Sequence, residues 1–138
     1  MQRNFSLESG FSAVRLGSLL IDLHNLYTVA EISTDPRGET LVVRFDRDHG
    51  YEGPVDQPEH VTLRCTGDLR LAVSNVAALL DAPDELDFLI AYFDDDCGWG
   101  EFLDEDLAAR QGFDGLHLGF GEDRVLRIRC ADADITVG

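Results

Sequence analysis

Residues 26–46 read LYTVAEISTDPRGETLVVRFD, and this stretch decides the fold. Residues 26–33 and 40–46 are β-branched and aromatic runs of strand type, and the second alternates with a period of two. Between them, Asp35-Pro36 followed by Arg37-Gly38 is turn chemistry, because proline presets φ and glycine tolerates positive φ. The segment therefore predicts a β-hairpin. In its second strand Leu41, Val43 and Phe45 fall on one face and Thr40, Val42, Arg44 and Asp46 on the other.

The same period recurs downstream. Residues 60–66 (HVTLRCT) place Val61, Leu63 and Cys65 on one face, and after Gly67-Asp68 the next inward set is Leu69, Leu71 and Val73. Leu116, Leu118 and Phe120 alternate with His117 and Gly119. Leu126, Ile128 and Cys130 alternate with Val125, Arg127 and Arg129, so a second hairpin is expected. Residues 86–93 (LDFLIAYF) are apolar on both faces, and their aromatic and isoleucine content favours a strand. Residues 47–59, with Gly50, Gly53, Pro54 and Pro58, read as a loop.

Helical signals are short. Ser74-Asn75 before an apolar run that stops ahead of Pro83 suggests one capped turn, and residues 102–110 suggest another ending at Gly112. Near the start, Leu16, Leu20, Leu23 and Tyr27 have helical spacing, but Gly17 interrupts them and a strand over residues 12–20 competes equally. The expected architecture is a single α+β domain spanning residues 1–138, dominated by antiparallel sheet with hairpins and one to three short helices.

At 138 residues, the chain suits one domain. It carries 27 acids against 11 cations, a formal net charge of −16, and every cation is arginine. A hydrophobic content of 44% makes it too apolar to be read as disordered. A field this negative disfavours nucleic acid and anionic membranes as partners. No apolar run approaches the ~18 to 20 residues of a membrane span, and the first residues, MQRNFSLE, lack the apolar core of a secretory signal. Three cysteines, Cys65, Cys97 and Cys130, form neither a disulfide framework nor a zinc pattern, so a reducing, cytoplasmic setting is the expectation.

The charge is uneven. Residues 71–109 contain no arginine and no histidine, yet carry eleven acids. The other 99 residues hold sixteen acids and all eleven arginines, a net of −5. Tyr92, Phe93, Trp99 and Phe102 are embedded in the acidic stretch. Carboxylates around aromatic anchors suit a basic protein partner, and the field would speed its encounter. The candidate partner-binding residues are Tyr92, Asp94, Asp95, Asp96, Trp99, Glu101, Asp104 and Glu105. The plain alternative is a solvated acidic loop around core aromatics. A further one is a housekeeping domain whose acidity reflects its host.

Other chemistry finds little support. Counted as a calcium loop from Asp94, Asp96 and Glu105 fall in register, but Trp99 occupies the position that needs glycine. Weak divalent-cation binding to three adjacent aspartates stays open, but no metal site or cofactor is assigned. Cys97 lies among carboxylates that oppose a thiolate. His24, His49, His60 and His117 lack metal spacing, and Asp22-Leu23-His24-Asn25 is the only local polar cluster. No catalytic residue is assigned. Arg44, Arg64, Arg70, Arg127 and Arg129 fall opposite the apolar sets, where cross-strand pairing with acids is expected. Several of them on one face of one sheet would make a cationic pocket.

The order of these features, Asp22-Leu23-His24-Asn25, then LYTVAEIS and TLVVRFD, then residues 60–66 and 67–73, resembles small acidic bacterial proteins of the immunity type, over residues 20–75. The third strand here ends in Cys65 where an aromatic is usual, and His24 is followed by Asn25 rather than aspartate. The resemblance implies binding and neutralising a toxin, and transfers no catalytic residue. The leading expectation is a non-enzymatic acidic domain that binds a basic protein in an immunity or antitoxin role, with a homodimer left open. The alternative is a small-molecule or divalent-metal-binding domain, of enzymatic type or not, with a cleft near His24 and residues 94–96.

Overall fold

The computed structural model describes residues 1–8, 13–50, 53–54, 56–73, 88–93, 116–120 and 124–138. Among them the elements run β1 Gln2–Arg3, β2 Ser6–Leu7, β3 Ala13–Leu16, β4 Leu19–Asp22, α1 Leu23–Leu26, β5 Tyr27–Thr34, β6 Thr40–Arg47 and β7 His60–Thr66. They continue with β8 Arg70–Val73, β9 Phe88–Phe93, β10 Leu116–Phe120, β11 Arg124–Arg129 and β12 Asp132–Val137. Strands dominate. They form a five-stranded sheet in the order β1-β12-β7-β6-β5, a four-stranded sheet β8-β11-β10-β9 and a three-stranded sheet β2-β3-β4. Every pairing is antiparallel except that of β1 with β12.

The hairpin of β5 and β6 forms where its sequence predicts. Asp35 organises the turn: its Oδ1 accepts from the Glu39 and Thr40 amides at 2.7 Å each, and Gly38 takes φ +68°. Because those amides favour the charged form, Thr40 N–H foremost, the Asp35 carboxyl lies below its ordinary value. One irregularity solves a parity problem in β5. Tyr27 and Val29 need the core, and so does Ile32, an odd number of residues further on. The register shifts between Val29 and Glu31, so Ile32 pairs with Val43 of the inner face and Glu31 with Arg44 of the outer.

The start of the chain is neither of the two alternatives. Gly17, at φ +61°, turns β3 back into β4, and only Leu23–Leu26 are helical. Among the described residues this is the one helix. The single turns expected near residues 74–80 and 102–110 lie outside those residues. β12 was not anticipated, although Ala133 and Ile135 alternate with Asp132, Asp134 and Thr136. The Asn4 side chain extends the edge beyond β1, its Nδ2 donating to Ile135 O (2.9 Å) and its Oδ1 accepting from Ile135 N (2.8 Å).

Two of the sheets share a continuous ribbon. β7 pairs with β12 in one, and β8 pairs with β11 in the other. At the corner between them, residues 67–69 face only residues 130–131, and the Ala131 amide reaches both Thr66 O (3.1 Å) and Gly67 O (2.6 Å). An extra residue bends such a ribbon. Gly67 and Asp68 both take positive φ there, and a Cβ on Gly67 would stand 2.8 Å from the Ala131 Cβ.

One cluster of buried side chains draws on all three sheets. Ile21 and Val14 come from the small sheet, Val43, Phe45, Val61 and Ile135 from the five-stranded sheet, and Leu116, Leu118, Leu126 and Ile128 from the four-stranded one. Burying each large aliphatic or aromatic chain contributes about 1.5–3 kcal/mol. Leu71, expected to point inward, is 39% exposed because β8 is an edge strand. The expected loop after β6 is stitched by Arg47, whose guanidinium donates to Gln57 O and Pro54 O, both at 2.8 Å. Tyr27 OH donates to Pro58 O of the same loop at 2.6 Å.

Candidate functional site

The acidic stretch departs from the four-stranded sheet. β9 ends at Phe93, β10 begins at Leu116, and these two residues are register partners. The 22 residues between them, 94–115, therefore leave and re-enter the framework at one place. They contain eight acids and a single arginine, Arg110, a net of −7. Of the candidate partner-binding residues, Tyr92 is a backbone partner of His117 in this sheet. Asp94, Asp95, Asp96, Trp99, Glu101, Asp104 and Glu105 lie outside the described residues.

The described framework is almost neutral. It holds twelve acids and ten arginines, a net of −2, whereas the remaining residues hold fifteen acids and one arginine. Many framework acids are also occupied. Across the outer face of β5, β6 and β7, Ser33 Oγ donates to Glu31 (2.7 Å), and Arg44 reaches both Glu31 (3.4 Å) and Asp46 (3.2 Å). His60 Nδ1 lies 2.9 Å from the same Asp46 oxygen. Nearby, His49 meets Glu59 at 2.8 Å, and Arg15 meets Glu8 at 2.6 Å on the small sheet. Exposed pairs of this kind contribute about 0.2–1 kcal/mol each, so the network serves register more than stability. The Asp46–His60 pair has the form of an oriented imidazole, but no nucleophile joins it among the described residues.

Two neighbours of His24, Asp22 and Asn25, have a structural task. Asp22 is the N-cap of α1, accepting from the Asn25 amide (3.2 Å) and the Asn25 side chain (2.8 Å). This gives Asp22 and Asn25 of the Asp22-Leu23-His24-Asn25 cluster a capping role. Among the described residues no group of three or more His, Cys, Asp or Glu side chains is placed to hold a metal ion. No helix among them is long and apolar enough to cross a membrane.

The arginines require a correction. Arg44 and Arg64 lie on the outer face as expected, but Arg127 is only 2% exposed, so the face of β11 opposite the apolar set is covered at that point. Register places Arg127 in one row with positions 72, 117 and 92, and puts exposed Arg129 directly opposite exposed Arg70. Asp68 lies 3.6 Å from Arg70 and offsets part of that repulsion. Three arginines thus share one face of one sheet, on β8 and β11, with β10 between them and the strand from which the acidic stretch departs. Period-two reading assigned the face, and only the register revealed the row.

Sequence reasoning also missed a pair of thiols. Cys65 on β7 and Cys130 just after β11 are both buried, free and part of the common core. Each alone reads as a small core hydrophobe. Nothing in their spacing announces that they share one core, which depends on the β7–β12 register and the bend at the corner. Comparison with known proteins finds no matching family model, no matching curated protein and no matching solved structure.

Proposed function

We propose that this chain is a non-enzymatic interaction domain, a single α+β unit that presents its acidic stretch to a basic protein. The observation that carries this reading is the contrast in charge about Phe93 and Leu116. A nearly neutral strand framework holds both ends of a segment of net −7 at one place. Charge concentrated in that way attracts a cationic surface and speeds encounter, and Tyr92 and Trp99 would supply the aromatic anchors. Binding and inhibiting a basic toxin, as in immunity proteins, is the sharpest form of the proposal.

The test is a pull-down from lysate of the source organism at low and high salt, with the bound proteins identified by mass spectrometry. The expected result is a basic partner lost both at high salt and in the Asp94→Asn/Asp95→Asn/Asp96→Asn variant. Failure to retain a basic protein, or retention indifferent to the three substitutions, would overturn it.

A further inference from the structure

We propose that Arg70 and Arg129 form the carboxylate-binding end of a small-molecule site, whose ligand is a small carboxylic acid that also carries a hydroxyl or ammonium donor. The register is the starting point. Arg70 on β8 stands directly opposite Arg129 on β11, so both side chains leave the same face, with Cβ atoms about 4.5–5.5 Å apart. Both residues are exposed. Directly opposed like charges are destabilising, and this chain has 27 acids against 11 cations, so composition alone would sooner set an acid opposite either arginine.

Other arginines show what an engaged guanidinium looks like here. Arg15 lies 2.6 Å from Glu8, Arg44 lies 3.2 Å from Asp46, and Arg47 donates to two carbonyls at 2.8 Å each. Arg70 has only Asp68, at 3.6 Å, and among the described residues Arg129 has no ion-pair partner. Two planar forks so placed can converge on one carboxylate, each presenting paired N–H donors.

A cleft of about 550 Å3 opens beside them, with Arg70 in its wall. That volume is in the range of small-molecule sites. It lies where the tip of the β5–β6 hairpin faces the corner after β7. Thr40 and Thr66, register partners, contribute two hydroxyls, neither of them hydrogen-bonded among the described residues. Glu39 and Asp68 contribute two carboxylates. These acids balance the two arginines and oppose a multiply charged anion, while accepting from a hydroxyl or ammonium group. The ligand class is therefore a monocarboxylate with a donor rather than a phosphate ester. No part of the site belongs to the acidic stretch, so this inference stands apart from the basic-protein reading.

Alanine, lactate and propionate share one carbon skeleton and carry an ammonium group, a hydroxyl or neither. Each is titrated into the full chain at constant ionic strength, with inorganic phosphate and chloride in parallel, and backbone amide shifts are followed by NMR. The expected result is a saturable shift at Thr40, Thr66, Asp68, Arg70 and Arg129 with alanine or lactate, several-fold tighter than with propionate or phosphate. The thermal midpoint should rise at saturation. A stronger response to alanine identifies an amino acid, and a stronger response to lactate a hydroxy acid. Arg129→Gln removes one fork and relieves the repulsion, so the variant should fold as wild type does while its affinity falls about tenfold or more. The Asp94→Asn/Asp95→Asn/Asp96→Asn variant should bind as tightly as wild type. No saturation with either alanine or lactate, equal shifts with propionate, phosphate or chloride, or an affinity unchanged by Arg129→Gln would overturn the proposal.

Discussion

The strand framework and the cation-poor stretch use carboxylates in opposite ways. In the framework, Glu31 and Asp46 bracket Arg44, Asp22 caps α1 and Asp35 closes a turn, so each charge is spent locally on register or on a backbone amide. From residue 71 to 109 eleven acids have no arginine or histidine among them, so their field is not neutralised by neighbours in the chain. Acidity in the first region serves the fold, and acidity in the second is what the proposed basic partner would meet. A bias of the host alone would spread charge more evenly than −11 in these 39 residues against −5 in the other 99.

The largest expected effect tests whether stability lives in the framework. Phe45 is buried where β6 meets the common core, and Phe45→Ala should cost about 3–5 kcal/mol in urea unfolding. If those aspartates serve a partner rather than the fold, the Asp94→Asn/Asp95→Asn/Asp96→Asn variant should stay within about 0.5 kcal/mol of wild type. A triple variant as destabilised as Phe45→Ala would erase the division.

A middle-sized effect concerns the loop after β6. Burial, above all, pushes the Tyr27 hydroxyl up to about 12; Glu59 adds to the rise, and Arg47 works against it. A group whose folded value is raised stabilises fully below its unfolded value, ~10, and loses that contribution as pH climbs through its folded one. Tyr27→Phe should therefore cost about 0.5–1.5 kcal/mol at neutral pH through the lost bond to Pro58 O, and the gap to wild type should close between pH ~10 and ~12. Urea midpoints of both proteins across that window decide the matter, and a gap that widened would refute the assignment.

The smallest effect lies in the exposed turn. Because the Asp35 carboxyl is lowered, its contribution is complete above the ordinary carboxylate value, ~3.9, and is lost as pH falls through the folded one. Asp35→Ala should speed amide exchange at Glu39 and Thr40 at neutral pH, whereas in wild type the same loosening appears only in acid. Equal exchange in the two proteins at neutral pH would show that framework carboxylates are as idle as those of a solvated loop.

Strand faces were legible wherever alternation was regular. Leu41, Val43, Phe45, Val61, Leu63 and Cys65 all face the core as their spacing implies. The hairpin turn was legible because Asp35, Pro36 and Gly38 carry their conformations with them. Gly17 was seen as an obstacle to a helix, but its role as the pivot of a hairpin needed the pairing of β3 with β4. At the candidate site only Tyr92 falls on a described strand, and the concentration of charge was readable because it is a property of composition. The occupation of framework acids was not, since each depends on a register partner.

By itself the sequence determined which residues alternate, where chain reversal is easy and where charge collects, because these follow from neighbours along the chain. The tertiary structure alone decided that β12 receives β1 in parallel, that Arg127 is buried while Arg129 is not, and that two thiols 65 residues apart lie buried in one core. Those outcomes depend on a bulge that changes register by one residue and on strands brought together from opposite ends of the chain. No local pattern encodes them, because the contact energies involved exist only after the core has assembled.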